Sequence, residues 1–281
     1  MHATDRRLRR RLPPPFAFSF KNIERQDNDN LTDAERIAAQ QIEDALQVQQ
    51  AAVAVQAGGT TQTAFMAAVV NILANNSGPL LAAVTLLLQN GAKEGQQVVF
   101  EQLALEPEVG FSWDLAEQRA SDWIDGYAFD LVTGINETSA NRLRGVLKSW
   151  IDDGGTMEEL AEGIRPIFAN DAATERIEKI FNVDRAMMIA ETEATRAYAQ
   201  GKISGYMGSG LANIPPVIAP PDDSHVRCRC DVSLEKRDGV WIWVWLTAVD
   251  DRVCPVCGPL HDQSVGFATQ EALNADINRQ R

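Results

Sequence analysis

All four cysteines of the chain lie between Cys228 and Cys257, as two close pairs separated by 23 residues. The first pair is Cys228-x-Cys230 and the second is Cys254-x-x-Cys257. Paired thiols at such spacings are typical of a tetrahedral zinc site, because each pair can reach one ion from a tight turn. Four thiolates on one ion would tie two segments to a single point. This pattern therefore constrains the fold of the C-terminal part of the chain more than any other feature.

The residues between the two pairs predict a β-hairpin. DVSLEK and VWIWVWL are rich in strand-forming residues, and Asp238-Gly239 between them suits a two-residue turn. With this turn, Arg237 lies opposite Val240. Counting outward then puts Cys228 and Cys230 on one face, at the open end of the hairpin. The same face gathers the apolar residues Val232, Leu234, Trp241, Trp243 and Trp245. We therefore expect the four thiols to converge beside this face.

Three uses of these thiols are open from the residues alone. The first is a structural zinc ion with the ligands Cys228, Cys230, Cys254 and Cys257. In this interpretation His225 or His261 could replace one sulfur. The second is a redox-active or disulfide-forming set, and the third is four buried thiols without a ligand. A closed site of four thiolates leaves no coordination position for water or substrate, so the zinc interpretation indicates a structural role.

Length and charge set wider bounds. The chain has 281 residues, 45% of them hydrophobic, and a formal net charge of −13. One large domain with appendages and two modest domains both fit this size. The negative charge argues against a protein that coats nucleic acid with its whole surface. The first residues, MHATDRRLRRRLPPP, lack the apolar stretch of a signal peptide, so we expect reduced thiols in a cytoplasm.

Composition divides the chain into four segments. Residues 1–30 are a basic, proline-rich arm, either a solvated tail or a segment that docks on a protein or a nucleic-acid backbone. Residues 31–110 are an apolar N-terminal helical region, and residues 111–211 are a helical core. Residues 212–281 carry the cysteine-rich hairpin, the knuckle and a tail. The predicted fold class is mainly α, a multi-helix body with a small C-terminal β-hairpin and a zinc-type cysteine knuckle.

Helical patterns account for the chain from residue 31 to residue 211. Thr32 is suited to cap a helix of about 25 residues. Two apolar helices, TAFMAAVVNILA and PLLAAVTLLLQ, follow on either side of the break Asn75–Gly78, with Pro79 in the first turn of the second. Each is too short to span a bilayer, so we expect a hairpin in the core or at a partner surface, and no membrane. Further helices are predicted over residues 112–133, 139–152, 156–168 and 184–207.

Glu193 interrupts the apolar stripe of the helix predicted over residues 184–207. It falls on one helical face with Ala190 and Ala197, where an apolar side chain is expected. Arg196 follows three residues later, at the spacing of neighbours on a helix. Because a buried carboxylate without a partner would be costly, we predict a structural ion pair between Glu193 and Arg196. A catalytic acid and a simple surface charge are the alternatives.

Three segments are similar to one known family. RAMMIAETEATRAYAQGKISGY resembles the helix with a threonine-glutamate pair, and WLTAVDDRVCPVCGPLH resembles the cysteine knuckle, of the Mu F-like head morphogenesis family of tailed-phage minor head proteins. YAFDLVTGINETSANRLRGVLKSWIDDG resembles the helical stretch before those motifs. The matching positions are Thr192, Glu193, Arg196, Asp251, Cys254, Pro255 and Cys257. The family often has an HPxCRC segment after the knuckle, whereas HVRCRC precedes it here.

The resemblance, which covers residues 112–266, implies a minor capsid protein that acts in head assembly near the portal, with links to DNA packaging or delivery. Its expected partners are the portal protein and the major capsid or scaffold protein, within a larger assembly, and DNA is a further candidate. We expect the protein in the virion, and in the host cytoplasm during assembly. On this interpretation it is not an enzyme.

Two other functions fit parts of the sequence. A phage-associated enzyme, such as a nuclease or a toxin-like domain, would need a catalytic constellation, yet the chain has only three histidines and no glycine-rich phosphate loop. A DNA-binding zinc module would contact phosphates through the basic residues Arg227, Arg229, Lys236, Arg237 and Arg252. Carboxylates of the same region offset these charges: Asp222, Asp223, Asp231, Glu235, Asp238, Asp250 and Asp251.

Overall fold

The computed structural model describes residues 32–281, apart from 58–60, 105–108, 155, 157–171, 217–225, 248–252, 254, 256 and 281. Thr32–Arg281 form one compact unit. The predicted basic arm, residues 1–30, lies outside the described residues. The segment boundaries predicted at residues 110 and 211 stay predictions.

The fold is mostly helical, with a small antiparallel sheet and three neighbouring cysteines near its C-terminus, which confirms the predicted fold class. The helices are α1 (Asp33–Ala57), α2 (Gln62–Asn75), α3 (Gly78–Leu103), α4 (Trp113–Asp152), α5 (Ala172–Phe181), α6 (Val183–Gly208) and α7 (Gln270–Arg279). The strands are β1 (Asp231–Arg237), β2 (Val240–Leu246) and β3 (Ser264–Phe267).

The start of α1 is set by a capping box. The backbone N–H of Glu35 donates to Thr32 Oγ1 at 3.2 Å, and the backbone N–H of Thr32 donates to Glu35 Oε2 at 2.7 Å. Two backbone donors without a helical partner are satisfied in this way. The helix then runs for 25 residues, as predicted. The predicted break before α3 is also confirmed, with Pro79 in its first turn.

Other helix predictions need correction. Residues 112–133 and 139–152 are not two helices, because α4 continues unbroken through both. Gly134 costs a helix about 1 kcal/mol, but Val132 and Ile135 beside it are buried, and only a continuous helix keeps them on one buried face. Helix α3 extends to Leu103, well past the predicted segment. The helix predicted over residues 156–168 lies outside the described residues except for Thr156.

Helix α6 lies at the centre, in contact with α1, α3, α4 and β1. Glycines let α3 approach it closely. A methyl group added to Gly201 of α6 would stand 2.0 Å from the carbonyl oxygen of Ala92, and one added to Gly95 of α3 would stand 2.1 Å from that of Tyr198. Atoms cannot approach so closely, so the absence of side chains at these glycines sets the distance between the two helices.

The sheet has the strand order β1-β2-β3. The predicted hairpin register is confirmed, with Arg237 opposite Val240, and with Leu234 and Val232 opposite Trp243 and Trp245. The turn residues Asp238 and Gly239 both have positive φ, 50° and 80°, as a tight hairpin turn requires. Strand β3 and helix α7 were not predicted.

The sheet packs on the C-terminal half of α6. Val232, Leu234 and Trp243 form one buried cluster with Ile203 and Tyr206 of the helix. The face of the hairpin that bears Trp241, Trp243 and Trp245, here called the tryptophan-rich face, therefore packs on the helical body. The cysteine segment at the open end of the hairpin lies next to α6.

Within the described residues, no single helix is long and apolar enough to cross a membrane. The segments Thr63–Asn75 and Gly78–Leu103 meet the criteria of length and composition only as a pair, bent by 46° at the break between them.

Candidate metal centre

Three of the four predicted thiols lie together. The sulfur atoms of Cys228, Cys230 and Cys257 are within 4.8 Å of one another, and all three residues are buried and free of disulfide bonds. They pack against Trp245 at the edge of the tryptophan-rich face. Cysteines this close and this buried can hold a metal ion. Cys254 and His225 lie outside the described residues.

Local backbone geometry brings these thiols together. Arg227 has a left-handed backbone conformation, with φ 57°, which turns the chain just before Cys228. The backbone N–H of Cys230 donates to the sulfur of Cys228 at 3.4 Å, so the C-x-C segment curls around one thiol. Cys257 directly precedes the short 3₁₀ turn Gly258–Leu260, and its carbonyl oxygen accepts the backbone N–H of Leu260 at 2.9 Å.

His261 is not part of this cluster. Its Nδ1 lies 3.1 Å from the backbone N–H of Thr247, which donates to it, and the ring is exposed. The structure therefore does not place His261 with the described thiols, although the sequence offered it as a substitute for one of them.

The crowding and burial of the thiols oppose their ionisation when no cation is bound. The neighbouring Cys228 sulfur, followed by burial, raises the pKa of Cys230 to about 12, while Cys257 and Trp245 act in the opposite direction. Neighbouring thiols do not all ionise together unless a cation offsets the negative charge of the thiolates. A coordinating metal ion supplies that positive charge and binds the thiols in their deprotonated form. The buried indole N–H of Trp245 has no oxygen or nitrogen acceptor among the described residues, and a thiolate beside it would be one.

The size of the cluster also fits a metal ion. In a tetrahedral site with metal–sulfur bonds of about 2.3 Å, neighbouring sulfurs lie about 3.8 Å apart. The present separations, up to 4.8 Å, need to close by only about 1 Å to reach that geometry.

A second layer of contacts joins the C-x-C segment to two helices. Arg229 Nη1 lies 2.5 Å from Glu35 Oε1 of α1, and Arg229 Nη2 lies 3.2 Å from Glu191 Oε1 of α6. Arg227 Nε lies 3.5 Å from the other oxygen of Glu191, and its backbone N–H donates to Thr192 Oγ1 at 2.8 Å. The sequence did not predict these pairs, because their partners are far apart along the chain.

Glu193 and Arg196 lie together on α6, where Arg196 Nη1 approaches Glu193 Oε1 at 3.2 Å. Tyr127 of α4 completes the group. Its hydroxyl donates to Glu193 Oε2 at 2.7 Å and accepts from Arg196 Nη1 at 2.6 Å. Burial raises the pKa of Glu193, against the opposing effects of Arg196 and Tyr127. The carboxylate is thus partnered on both oxygens, and the group ties α4 to α6.

A further, partly buried pair was missed by sequence reasoning. Lys202 of α6 contacts Asp231 at the start of β1, with Nζ 2.5 Å from Oδ2. Nearby, the hydroxyl of Tyr206 donates to Gln102 Oε1 at 2.6 Å. The only signal in the sequence is a lysine within a helix of mostly small and apolar residues. That signal does not identify a partner 29 positions away.

A cleft of about 600 Å³ lies between α1, α3, α6 and the start of β1. Glu35 and Asp231 in its lining are already paired, with Arg229 and Lys202. The described lining contains no cysteine, serine or histidine, so it has no histidine-activated nucleophile.

Comparisons of the chain with family models, curated proteins and solved structures found no match.

Proposed function

We propose that the chain is a non-enzymatic minor head protein of a tailed phage or prophage, in which a structural zinc ion fastens the C-terminal sheet to the helical body. The body contacts the portal or capsid during head assembly, with a link to DNA packaging or delivery. Zinc binds Cys228, Cys230 and Cys257, and Cys254 supplies the fourth thiolate.

One observation carries this proposal. The segments that resemble the head morphogenesis family are a helix with a threonine-glutamate pair and a cysteine knuckle, far apart in sequence. Here Thr192 of that pair accepts a hydrogen bond from Arg227, directly before Cys228, and Cys228 clusters with Cys257 of the knuckle. The segment Arg227-Cys228 thus links the two motifs, which supports a shared role for them because it gives both a place in one structural unit.

The choice of zinc follows from the ligands. Thiolates are soft, and a tetrahedral set of four is typical of structural zinc. Such a site is closed, so it stabilises the fold and offers no position for a substrate. The knuckle in this proposal is an anchor for a binding surface.

The contacts of the basic residues argue against the alternative of a DNA-binding zinc module. Arg227 and Arg229 contact Glu191 and Glu35, and Arg237 contacts Glu235 and Asp262. To bind phosphates, these arginines would first have to leave carboxylates. DNA contact elsewhere in a head assembly is still compatible with the proposal.

Metal analysis tests the zinc site. The reduced full-length chain, purified with zinc and dialysed, should carry about one zinc per chain. Cys257→Ser should lose the metal or bind it far more weakly. Cys254→Ser tests the fourth ligand and should weaken binding as well. A reduced wild-type chain that binds no zinc would refute the site, and full affinity in Cys254→Ser would assign the fourth position to another group.

Co-purification tests the assembly role. The tagged chain should bind the portal, major capsid or scaffold protein of its own phage when each is co-expressed with it. A Cys254→Ser, Cys257→Ser double variant should bind less, because its sheet is no longer fastened. If the wild-type chain binds none of the three proteins, the head-assembly role is wrong, and the phage-associated enzyme becomes the next hypothesis to test.

A further inference from the structure

The segment Arg227-Cys228-Arg229-Cys230 presents two kinds of side chain to two different places. The cysteines are buried in the thiol cluster. The arginines contact carboxylates of α1 and α6. The cysteines of this short segment therefore belong to the candidate metal site, and its arginines contact two helices of the body.

The arginine contacts are well sheltered from solvent. The side chain of Arg229 is 15% exposed, and those of its partners Glu35 and Glu191 are 5% and 14% exposed. Charge pairs with so little exposure are weakly screened, and an arginine that loses its carboxylate there keeps a buried charge without compensation. The position of the C-x-C segment therefore depends on these contacts.

We propose that Arg227 and Arg229 are positioning residues of the metal site, and that metal binding is coupled through them to the start of α1 and the middle of α6. This inference rests on the proposed metal site. The arginines hold the C-x-C segment so that Cys228 and Cys230 face Cys257. A bound metal in turn holds the arginines against Glu35 and Glu191.

Glu35 extends the coupling to the end of a helix. One of its oxygens receives Arg229, and the other accepts the backbone N–H and the hydroxyl of Thr32 at 2.7 and 2.9 Å. The same carboxylate thus belongs to the capping box of α1 and to the arginine contact. When the metal leaves and the C-x-C segment loosens, the first turn of α1 loses one of the contacts that order it.

Linkage makes the effect reciprocal. If the arginine contacts favour the metal-binding arrangement, the metal must favour those contacts by the same factor. Groups that orient metal ligands typically change metal affinity by about 10- to 100-fold. We expect a change of that size when the Arg229 contact is removed.

The experiment compares zinc affinity, measured by competition with a colorimetric chelator, in the full-length reduced chain and its variants. Arg229→Gln should still bind one zinc, but about 10- to 100-fold more weakly. Arg237→Gln is the matched control, an arginine of the same sheet whose carboxylate partners are Glu235 and Asp262 and not Glu35 or Glu191. Its affinity should stay within about threefold of wild type. Glu35→Gln tests the same contact from α1 and should weaken zinc binding in the same direction.

Hydrogen–deuterium exchange supplies the second readout. Zinc removal should speed exchange in the first turn of α1 in the wild-type chain, and much less so in Arg229→Gln. If wild type binds no zinc, the proposed metal site itself fails. If wild type binds zinc and both Arg229→Gln and Glu35→Gln bind it with unchanged affinity, the metal site stands and the coupling is wrong. If the first turn of α1 exchanges equally with and without zinc, the reciprocal effect is wrong.

Discussion

The close approach of α3 and α6 makes Gly201→Ala the sharpest test of the fold. The added methyl group would stand 2.0 Å from the carbonyl oxygen of Ala92 and 2.7 Å from its Cα. Both atoms belong to the backbone of α3, so no side chain can rotate away. The helices must separate by about 1 Å or more before the methyl group reaches an ordinary contact distance.

The magnitude follows from two opposing effects. Overpacking of this kind costs about 1–3 kcal/mol and occasionally more, and a clash with rigid backbone belongs at the upper end. Replacing glycine by alanine inside a helix stabilises the helix by about 1 kcal/mol. We therefore expect Gly201→Ala to lower the free energy of unfolding by about 2 kcal/mol, which at about 2–4 °C per kcal/mol lowers Tm by about 4–8 °C.

The matched control is Gly126→Ala, a glycine inside α4 with no atom within 4 Å of the added methyl group. Alanine has a higher helix propensity than glycine and makes no clash at this position, so the Tm of this variant should rise by about 2–4 °C. Thermal unfolding followed by far-ultraviolet circular dichroism, with zinc in excess for all chains, compares the three proteins. If Gly201→Ala melts at or above the temperature of Gly126→Ala, the close approach of α3 and α6 is wrong.

Two buried charges give the remaining predictions. Burial raises the pKa of Glu193. A carboxyl group whose folded pKa lies above its unfolded value of about 4.3 stabilises the fold below that pH, and this contribution is lost as the pH rises through the folded pKa. In urea unfolding, Glu193→Gln should therefore gain stability relative to wild type as the pH rises above about 4.3, and a pH-independent difference would contradict this. Lys202→Met leaves Asp231 partly buried without its cation, so it should cost about 3–5 kcal/mol. Adding Asp231→Leu should restore most of that loss, and a double variant no more stable than Lys202→Met would show that the pair is not the cause.

The parts of the fold that the sequence predicted depend on local chemistry. Thr32 was predicted to cap α1, and Glu35, which completes its capping box in the structure, is only three residues away. The hairpin register follows from one Asp-Gly turn, because a two-residue loop leaves one pairing for every residue beyond it. That register placed Cys228 and Cys230 on the tryptophan face, and both cysteines pack against Trp245 in the structure.

The parts that it missed depend on distant residues. Gly134 favours a break in α4, and only burial of its neighbours by other helices overrides that preference. Strand β3 is four residues long and includes Gly266, so its strand character comes from pairing with Trp243 rather than from its own residues. Tyr127 joins Glu193 and Arg196 from 66 and 69 positions away. Nothing within α6 indicates which aromatic residue will approach it.

The central position of α6 explains why its sequence is unusual. A helix with neighbours on several sides cannot turn its polar residues towards water, so each buried polar side chain needs a partner on a neighbouring element. Arg185 binds Ser139 of α4, Glu193 binds Tyr127 of α4, Lys202 binds Asp231 of β1, and Glu191 contacts the arginines beside the cysteines. Apolar contacts tolerate rotation of a helix about its axis, whereas these pairs form at one rotation only. The small residues of α6 therefore allow close packing, and its charged residues select the orientation in which Glu191 and Thr192 meet the cysteine segment.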